Sequence, residues 1–95
     1  MGQGEWTFLS NYGHVLVCLT RDPDARMRDV AEAVGITERA VQLIVRELVT
    51  QGYLHKEKVG RRNRYDVLRE PHLRHDLESQ VTVGQFLDLI VNPEG

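Results

Sequence analysis

The 95-residue sequence has little of several features that mark particular protein classes. Its single cysteine, Cys18, cannot form an internal disulfide and is expected in the core. No apolar run approaches the roughly 18 residues that a membrane-spanning helix needs. The first ten residues, MGQGEWTFLS, lack the basic start and the apolar core of a secretory signal. We therefore expect a cytoplasmic protein with no membrane partner.

The sequence also lacks the residue patterns on which most catalysis depends. It has no glycine-rich phosphate loop and no arrangement of Ser, His and Asp that suggests a nucleophilic centre. His72, His75 and Asp76 come closest to a metal site, because a spacing of three places both imidazoles on one helix face. Two histidines and one carboxylate are an incomplete ligand set. We expect no enzyme activity, no metal and no cofactor.

Charge of one sign does not dominate the composition, since the formal net charge is −2. The distribution is nevertheless uneven. Residues 26–64 contain nine Lys or Arg and five Asp or Glu, a balance of +4, while the remainder contains three and nine, a balance of −6. Exposed charges act within a Debye length of about 8 Å, so a basic face on an acidic body can still attract an anionic partner.

The length predicts a single domain over residues 1–95. Its core is expected at about residues 11–68, with a C-terminal helical extension at about residues 70–92. Asn11 is predicted to cap the first helix, which carries apolar residues at helical spacing. These residues are Tyr12, Val15, Leu16 and Leu19.

Two further helices are predicted on either side of a short glycine-containing turn. A short strand at residues 25–27 leads to a helix at residues 28–34, which Gly35 ends with a positive φ. Thr37 is the predicted N-cap of a helix from residue 38 to about residue 51. The apolar stripe of that helix consists of Val41, Ile44, Val45 and Leu48. This order is typical of a helix-turn-helix motif.

The helix predicted from residue 38 to about residue 51 has a polar face opposite its apolar stripe. This face carries groups that can form hydrogen bonds with the edges of bases. Its residues are Thr37, Glu38, Arg39, Gln42, Leu43 and Arg46. Arginine can bind guanine O6 and N7 together, and glutamine can bind adenine N6 and N7. Arg46, farther along, could reach a phosphate instead. The alternative interpretation is an ordinary solvated face of an amphipathic helix.

A basic β-hairpin is predicted next, from Tyr53 to Leu68. Tyr65 and Val67 alternate on its return strand, and residues 59–63 form its tip, where Asn63 would tolerate a positive φ. Its candidate binding residues are Lys58, Arg61, Arg62, Asn63 and Arg64. Phosphates would relieve the mutual repulsion of these cations. A tip that serves only solubility is the alternative.

The helices and the hairpin together resemble the winged helix-turn-helix transcriptional regulators of bacteria, particularly the MarR-like and ArsR-like groups. The resemblance covers roughly residues 12–68 and is carried by RMRDVAEAVGITERAVQLIVRELVTQGYL and VGRRNRYDV. It implies a mainly α fold with a small β-hairpin wing (α+β), built from a three-helix core plus C-terminal helices. It also implies a homodimer on a palindromic site. By this resemblance the six residues of the polar helix face contact the major groove, and Arg61, Arg62 and Arg64 touch the backbone or the minor groove.

The chain after the hairpin departs from the larger members of these groups, which carry long terminal helices. A short helix is predicted at residues 69–77 with Pro71 in its first turn. Thr82 and Gln85 then form a capping box for a second helix, which ends at Asn92-Pro93. Its apolar stripe, the candidate dimerisation surface, is Val83, Phe86, Leu87, Ile90 and Val91. The stripe could pack against the first helix of the same chain or against a second subunit.

These patterns predict a sequence-specific double-stranded DNA-binding transcriptional regulator, with repression as the default mode of action. The sequence does not determine whether a small-molecule effector exists. The competing hypothesis is a winged-helix module that binds another protein and no DNA. Basic side chains on both the helix and the hairpin favour DNA, because a protein-docking surface would more often expose apolar anchors there.

Overall fold

The computed structural model describes residues 6–93, in which four helices and one antiparallel hairpin surround an apolar core. The elements are α1 (Asn11–Arg21), α2 (Met27–Val34), α3 (Glu38–Thr50), β1 (Leu54–Val59), β2 (Arg62–Val67) and α4 (Val83–Val91). This order confirms the predicted mainly α fold with a hairpin wing. Over the same residues, none of the helices has both the length and the apolar character to cross a membrane.

Helical periodicity determines which side chains enter the core. The buried residues of α1 and α3 are Val15, Leu16, Leu19, Val41, Ile44, Val45 and Leu48. The other elements contribute Val30, Ala31, Leu54, Tyr65, Val83 and Leu87. The predicted stripe of α3 is therefore confirmed in full. Tyr12 is the exception in α1, since it lies at the open end of the helix and stays 45% exposed.

Hydroxyl caps define where three of the helices begin. Ser10, Thr37 and Thr82 each accept a hydrogen bond from the backbone N–H three residues later, at 3.4, 3.0 and 3.1 Å. The caps at Thr37 and Thr82 confirm the predictions. The prediction for α1 is wrong by one residue, because Ser10 has the extended backbone of a cap and Asn11 is already helical.

The cap of α4 provides a test of local stability. Thr82 and Gln85 form the predicted capping box, in which the Gln85 side chain also accepts from the Thr82 N–H at 2.9 Å. We expect Thr82→Ala to lower the free energy of unfolding by about 1 kcal/mol, because a backbone donor loses its partner. Thr82→Ser keeps the hydroxyl and should lose much less. Urea unfolding followed by circular dichroism compares the two variants, and equal stability of both would contradict the role of the cap.

The turn between α2 and α3 depends on Gly35. Its φ is +90°, a left-handed conformation that costs other residues about 1–2 kcal/mol. The N–H groups of Gly35 and Ile36 both donate to the Ala31 carbonyl oxygen, at 2.8 and 3.1 Å, and so close α2. The chain can then change direction within three residues and begin α3 at Glu38, with Thr37 as its cap, as the sequence predicts.

The two strands of the hairpin pair in a register that leaves a two-residue loop. Leu54 lies opposite Val67 and Val59 lies opposite Arg62, so Gly60 and Arg61 form the tip. The positive φ is at Gly60, where it is 64°. The prediction of a positive φ at Asn63 is wrong, because Asn63 is a strand residue paired with Lys58. Glycine at the first loop position is the arrangement typical of a type II′ turn.

The short strand predicted at residues 25–27 does not form. Ala25 and Arg26 are irregular, and Met27 already belongs to α2. The edge of β2 is bonded instead to the turn before them, because the Tyr65 N–H donates to the Pro23 carbonyl oxygen at 3.0 Å. One backbone hydrogen bond thus takes the place of a third strand.

The helix predicted at residues 69–77 is also absent. This segment consists of bends and turns, and its backbone bonds to the chain just before α4. The Leu73 N–H donates to the Val81 carbonyl oxygen at 2.9 Å, and His72 forms an isolated bridge with Thr82. Backbone groups with partners that lie about ten residues away cannot also complete a helical turn. Within residues 6–93 the C-terminal extension therefore contains one helix.

Helix α4 packs against α1 of the same chain. Val83 and Leu87 are 0% and 1% exposed without any partner subunit, while Phe86 packs against the same core. Val83 and Leu87 must therefore be removed from the candidate dimerisation surface, because their area is already buried. The large apolar side chains of α4 that stay exposed are Leu89, at 71%, and Ile90, at 39%.

Candidate nucleic-acid interface

Helix α3 presents a polar face on the side opposite the core. The six predicted residues of this face, Thr37, Glu38, Arg39, Gln42, Leu43 and Arg46, are all exposed. Arg39, Gln42 and Arg46 are spaced by three and four residues and so lie along one line of the helix. Leu43 beside them is 55% exposed, an apolar side chain that can contact a thymine methyl group.

A groove of about 320 Å³ separates α3 from the hairpin. Gln42 and Arg46 line its helix side, and Lys56, Asn63 and Tyr65 line its hairpin side. Lys56 is a candidate that the sequence did not reveal. In the sequence, a lysine within a strand suggests only ordinary solvated surface. The strand register pairs Lys56 with the buried Tyr65, and this pairing places Lys56 on the face toward α3.

Arg62 and Arg64 lie on the other face of the hairpin and point to the turn between α1 and α2. Arg64 Nη1 is 3.2 Å from Asp24 Oδ2, and Arg64 Nε is 3.1 Å from Asp66 Oδ1. Arg62 Nη2 donates to the Asp24 carbonyl oxygen at 2.5 Å. Two of the cations predicted to face phosphates therefore have protein partners in this structure.

The other cations near the groove make no ion pair with residues 6–93. Besides the two pairs of Arg64, that part of the chain contains one more, between Arg69 and Asp88. Within residues 26–64, and besides Arg62 with its backbone partner, the exposed cations without an ion pair are Arg26, Arg28, Arg39, Arg46, Lys56, Lys58 and Arg61. The first two lie at the start of α2 and were not predicted as site residues. All seven lie within residues 26–64, where Lys and Arg outnumber Asp and Glu.

The candidate metal ligands and the single cysteine lie away from this groove. His72 Nδ1 is 2.7 Å from the Ser79 carbonyl oxygen, and His75 Nδ1 accepts from the Leu77 N–H at 3.0 Å. Residues 6–93 contain no group of three or more side chains that could hold a metal. Cys18 is partly buried, and this desolvation raises the pKa of its thiol despite the opposing charge of Arg21.

Part of the chain matches a known family model. Residues 13–55, from α1 to the start of β1, match the family model described as winged helix-turn-helix DNA-binding. The matched span includes α2, the glycine turn and α3. No curated protein sequence matches the chain.

Solved structures share the fold over a longer span. A zinc-dependent MarR family transcriptional regulator, AdcR, in its Zn(II)-bound state is 20% identical over 70% of this chain and 47% of its own, with a TM-score of 0.53. The PcaV transcriptional regulator from Streptomyces coelicolor, in complex with its natural ligand, is 22% identical over 92% of this chain and 63% of its own, with a TM-score of 0.55. The chain thus spans less than two thirds of either regulator. Its fold is a winged helix-turn-helix fold similar to theirs.

Proposed function

We propose that the protein is a cytoplasmic, sequence-specific double-stranded DNA-binding regulator that represses transcription by occupying a promoter. The observation that carries this proposal is the pairing of two cationic surfaces, the outer face of α3 and the α3 side of the hairpin, across one groove. Helix α3 would enter the major groove, and the hairpin would lie on the adjacent backbone or minor groove.

The residues of α3 would divide into base readers and backbone contacts. Arg39 and Gln42 have the donors and acceptors for bidentate contacts with guanine and adenine, and both are exposed. Thr37, Glu38 and Leu43 would lie beside them, and Arg46, one turn farther on, would reach a phosphate. The wing candidates predicted from the sequence are Lys58, Arg61, Arg62, Asn63 and Arg64, of which Arg62 and Arg64 already have protein partners.

A homodimer on a palindromic site is the second part of the proposal. A two-fold axis would place two copies of α3 in major grooves one helical turn apart, about 34 Å along the duplex. The exposed Leu89 and Ile90 support α4 as part of the contact between the subunits. Val83, Phe86 and Leu87 of its apolar stripe already pack in or against the core of their own chain.

Fluorescence-anisotropy titrations test DNA binding. The wild-type protein is titrated against the duplex upstream of its own gene and against a scrambled duplex of the same composition, across a series of salt concentrations. We expect tighter binding to the upstream duplex and a log–log salt slope that grows by about 0.9 for each phosphate contact. No binding to either duplex at low salt would contradict the proposal and favour a protein-binding module.

Two matched single variants show whether the wing takes part. Arg61→Ala removes an exposed cation at the tip of the hairpin, and Arg74→Ala removes an exposed cation from the segment before α4. We expect the salt slope to fall by about 0.9 for Arg61→Ala and to stay unchanged for Arg74→Ala. Equal slopes for these two variants would exclude a phosphate contact at the tip.

A further inference from the structure

We propose that the basic side chains of the hairpin have two separate tasks, one on each face of the ribbon. Lys56 and Lys58 contact the phosphate backbone of DNA. Arg62 and Arg64 instead hold the hairpin against the α1–α2 turn through Asp24, which is a positioning residue. The phosphate-contacting half of this inference rests on the proposed DNA-binding function, and the holding half does not.

Three hydrogen-bonded contacts join β2 to the α1–α2 turn. The Asp24 carboxylate accepts from Arg64, the Asp24 carbonyl oxygen accepts from Arg62, and the Pro23 carbonyl oxygen accepts from the Tyr65 N–H. The three donors belong to residues of one strand. The contacts therefore hold β2 both at its backbone edge and at one of its faces. Rotation of the hairpin away from the helices would break all three contacts together.

The turn that accepts these bonds is itself ordered by Asp22. Asp22 Oδ1 accepts from the Asp24 N–H at 3.1 Å, and the Asp22 carbonyl oxygen accepts from the Ala25 N–H at 3.0 Å. An aspartate that bonds to the backbone two residues later is a common way to fix a tight turn. The acceptors on Asp24 are therefore held in place before the arginines reach them.

Arg64 is poorly placed to bind a DNA phosphate in addition to its protein partners. Its guanidinium lies between two carboxylates, those of Asp24 and Asp66, and its side chain is only 39% exposed. A phosphate would have to displace these partners and then lie beside two negative charges. Charge-assisted bonds to carboxylates are about as favourable as those to phosphates, so the exchange offers Arg64 little gain.

Lys56 and Lys58 have the opposite surroundings. Successive strand residues alternate between faces, so both lysines share the face of Leu54, which is buried toward the helices. Their cross-strand neighbours are the uncharged Tyr65 and Asn63, and neither lysine forms an ion pair with residues 6–93. Their charge is therefore directed to the α3 side of the hairpin, where a bound duplex would lie.

Two double variants test the two faces of the hairpin separately, and each of them removes two positive charges. The salt dependence of binding to the upstream duplex is measured for Lys56→Ala/Lys58→Ala and for Arg62→Ala/Arg64→Ala. We expect the lysine pair to lower the log–log slope by about 1.8. The arginine pair should weaken binding because the hairpin is loosened, but lower the slope by clearly less than the lysine pair does. A slope that falls equally in both variants would overturn the inference.

Asp24→Asn tests the holding contact by the direction of its effect on DNA binding, with Glu32→Gln as the control that removes the same charge from the exposed side of α2. We expect Asp24→Asn to bind the upstream duplex more weakly than Glu32→Gln, by up to about fivefold, because a loosened wing is misplaced. If Arg64 instead served as a phosphate ligand, its release would give tighter binding and a steeper slope. That result would overturn the assignment of Asp24.

Hydrogen exchange measures the same contact without DNA. The Tyr65 N–H is bonded to the Pro23 carbonyl oxygen, so we expect its exchange to accelerate in Asp24→Asn and to stay unchanged in Arg61→Ala. Unchanged exchange in Asp24→Asn would overturn the holding half of the inference. A wild-type protein that binds no duplex would refute the proposed function and the lysine contacts, while the exchange result still decides the role of Asp24.

Discussion

Replacing Leu87 by alanine is expected to lower the free energy of unfolding by about 2–5 kcal/mol. Leu87 is 1% exposed, and α4 packs this residue against α1 within one chain. The substitution removes buried apolar surface and leaves a cavity that the neighbouring helices can close only in part. Urea unfolding of the full chain, followed by circular dichroism, measures the loss.

Leu89→Ala on the same helix is the matched control. Leu89 is 71% exposed, so its replacement should change the free energy of unfolding by less than about 0.5 kcal/mol. We also expect the loss at Leu87 to be independent of protein concentration, because the contact lies within one chain. A loss that shrinks as the concentration rises would show that a second subunit covers the stripe.

The second large effect is expected in sequence discrimination. Arg39→Ala and Gln42→Ala should each reduce the difference in binding free energy between the upstream and scrambled duplexes by about 1–3 kcal/mol. Both side chains are exposed on α3, and neither has an ion pair or a side-chain hydrogen bond within residues 6–93 that would compete with a base edge. Competition titrations with duplexes that carry single base-pair changes measure the effect and locate the positions that are read.

Arg46→Ala provides the contrast for these variants. A phosphate contact carries no sequence information, so this variant should weaken binding to every duplex by a similar factor and lower the salt slope by about 0.9. If Arg39→Ala behaved in the same way as Arg46→Ala, Arg39 would be a backbone contact and the assignment of base readout would be wrong.

The helices could be predicted from the sequence because the signals that form them are local. The apolar stripe of α3, the caps at Thr37 and Thr82 and the glycine that ends α2 all act within one or two helical turns. The structure agrees with the predicted bounds of α2 and α3 to within one residue.

Apart from the one-residue error at the cap of α1, the errors occurred where distant parts of the chain decide the outcome. The backbone at residues 69–77 pairs with the segment before α4, which local propensity does not encode. The position of the hairpin tip depends on the register of two strands, which shifted the positive φ from Asn63 to Gly60. The partner of Arg64 is Asp24, which lies 40 residues earlier in the chain.

The separation along the chain between residues in contact also explains why only part of the candidate site could be predicted. Exposure of the α3 face follows from helical period alone, so those residues could be named in advance. The pairing of Arg64 follows only from the packing of the hairpin against the α1–α2 turn. The position of Lys56 on the face toward α3 follows only from the register of the two strands.

The irregular segment between His72 and Thr82 is a site that can tolerate additional chain length. Its two ends are joined by the bridge between these residues, and residues 74–80 between them are all exposed. The entropy of closing a loop grows slowly with its length, by only about 0.6 kcal/mol for each doubling. A fluorescent reporter peptide or an affinity tag inserted at residues 75–77 would therefore leave α3, the hairpin and the core as they are.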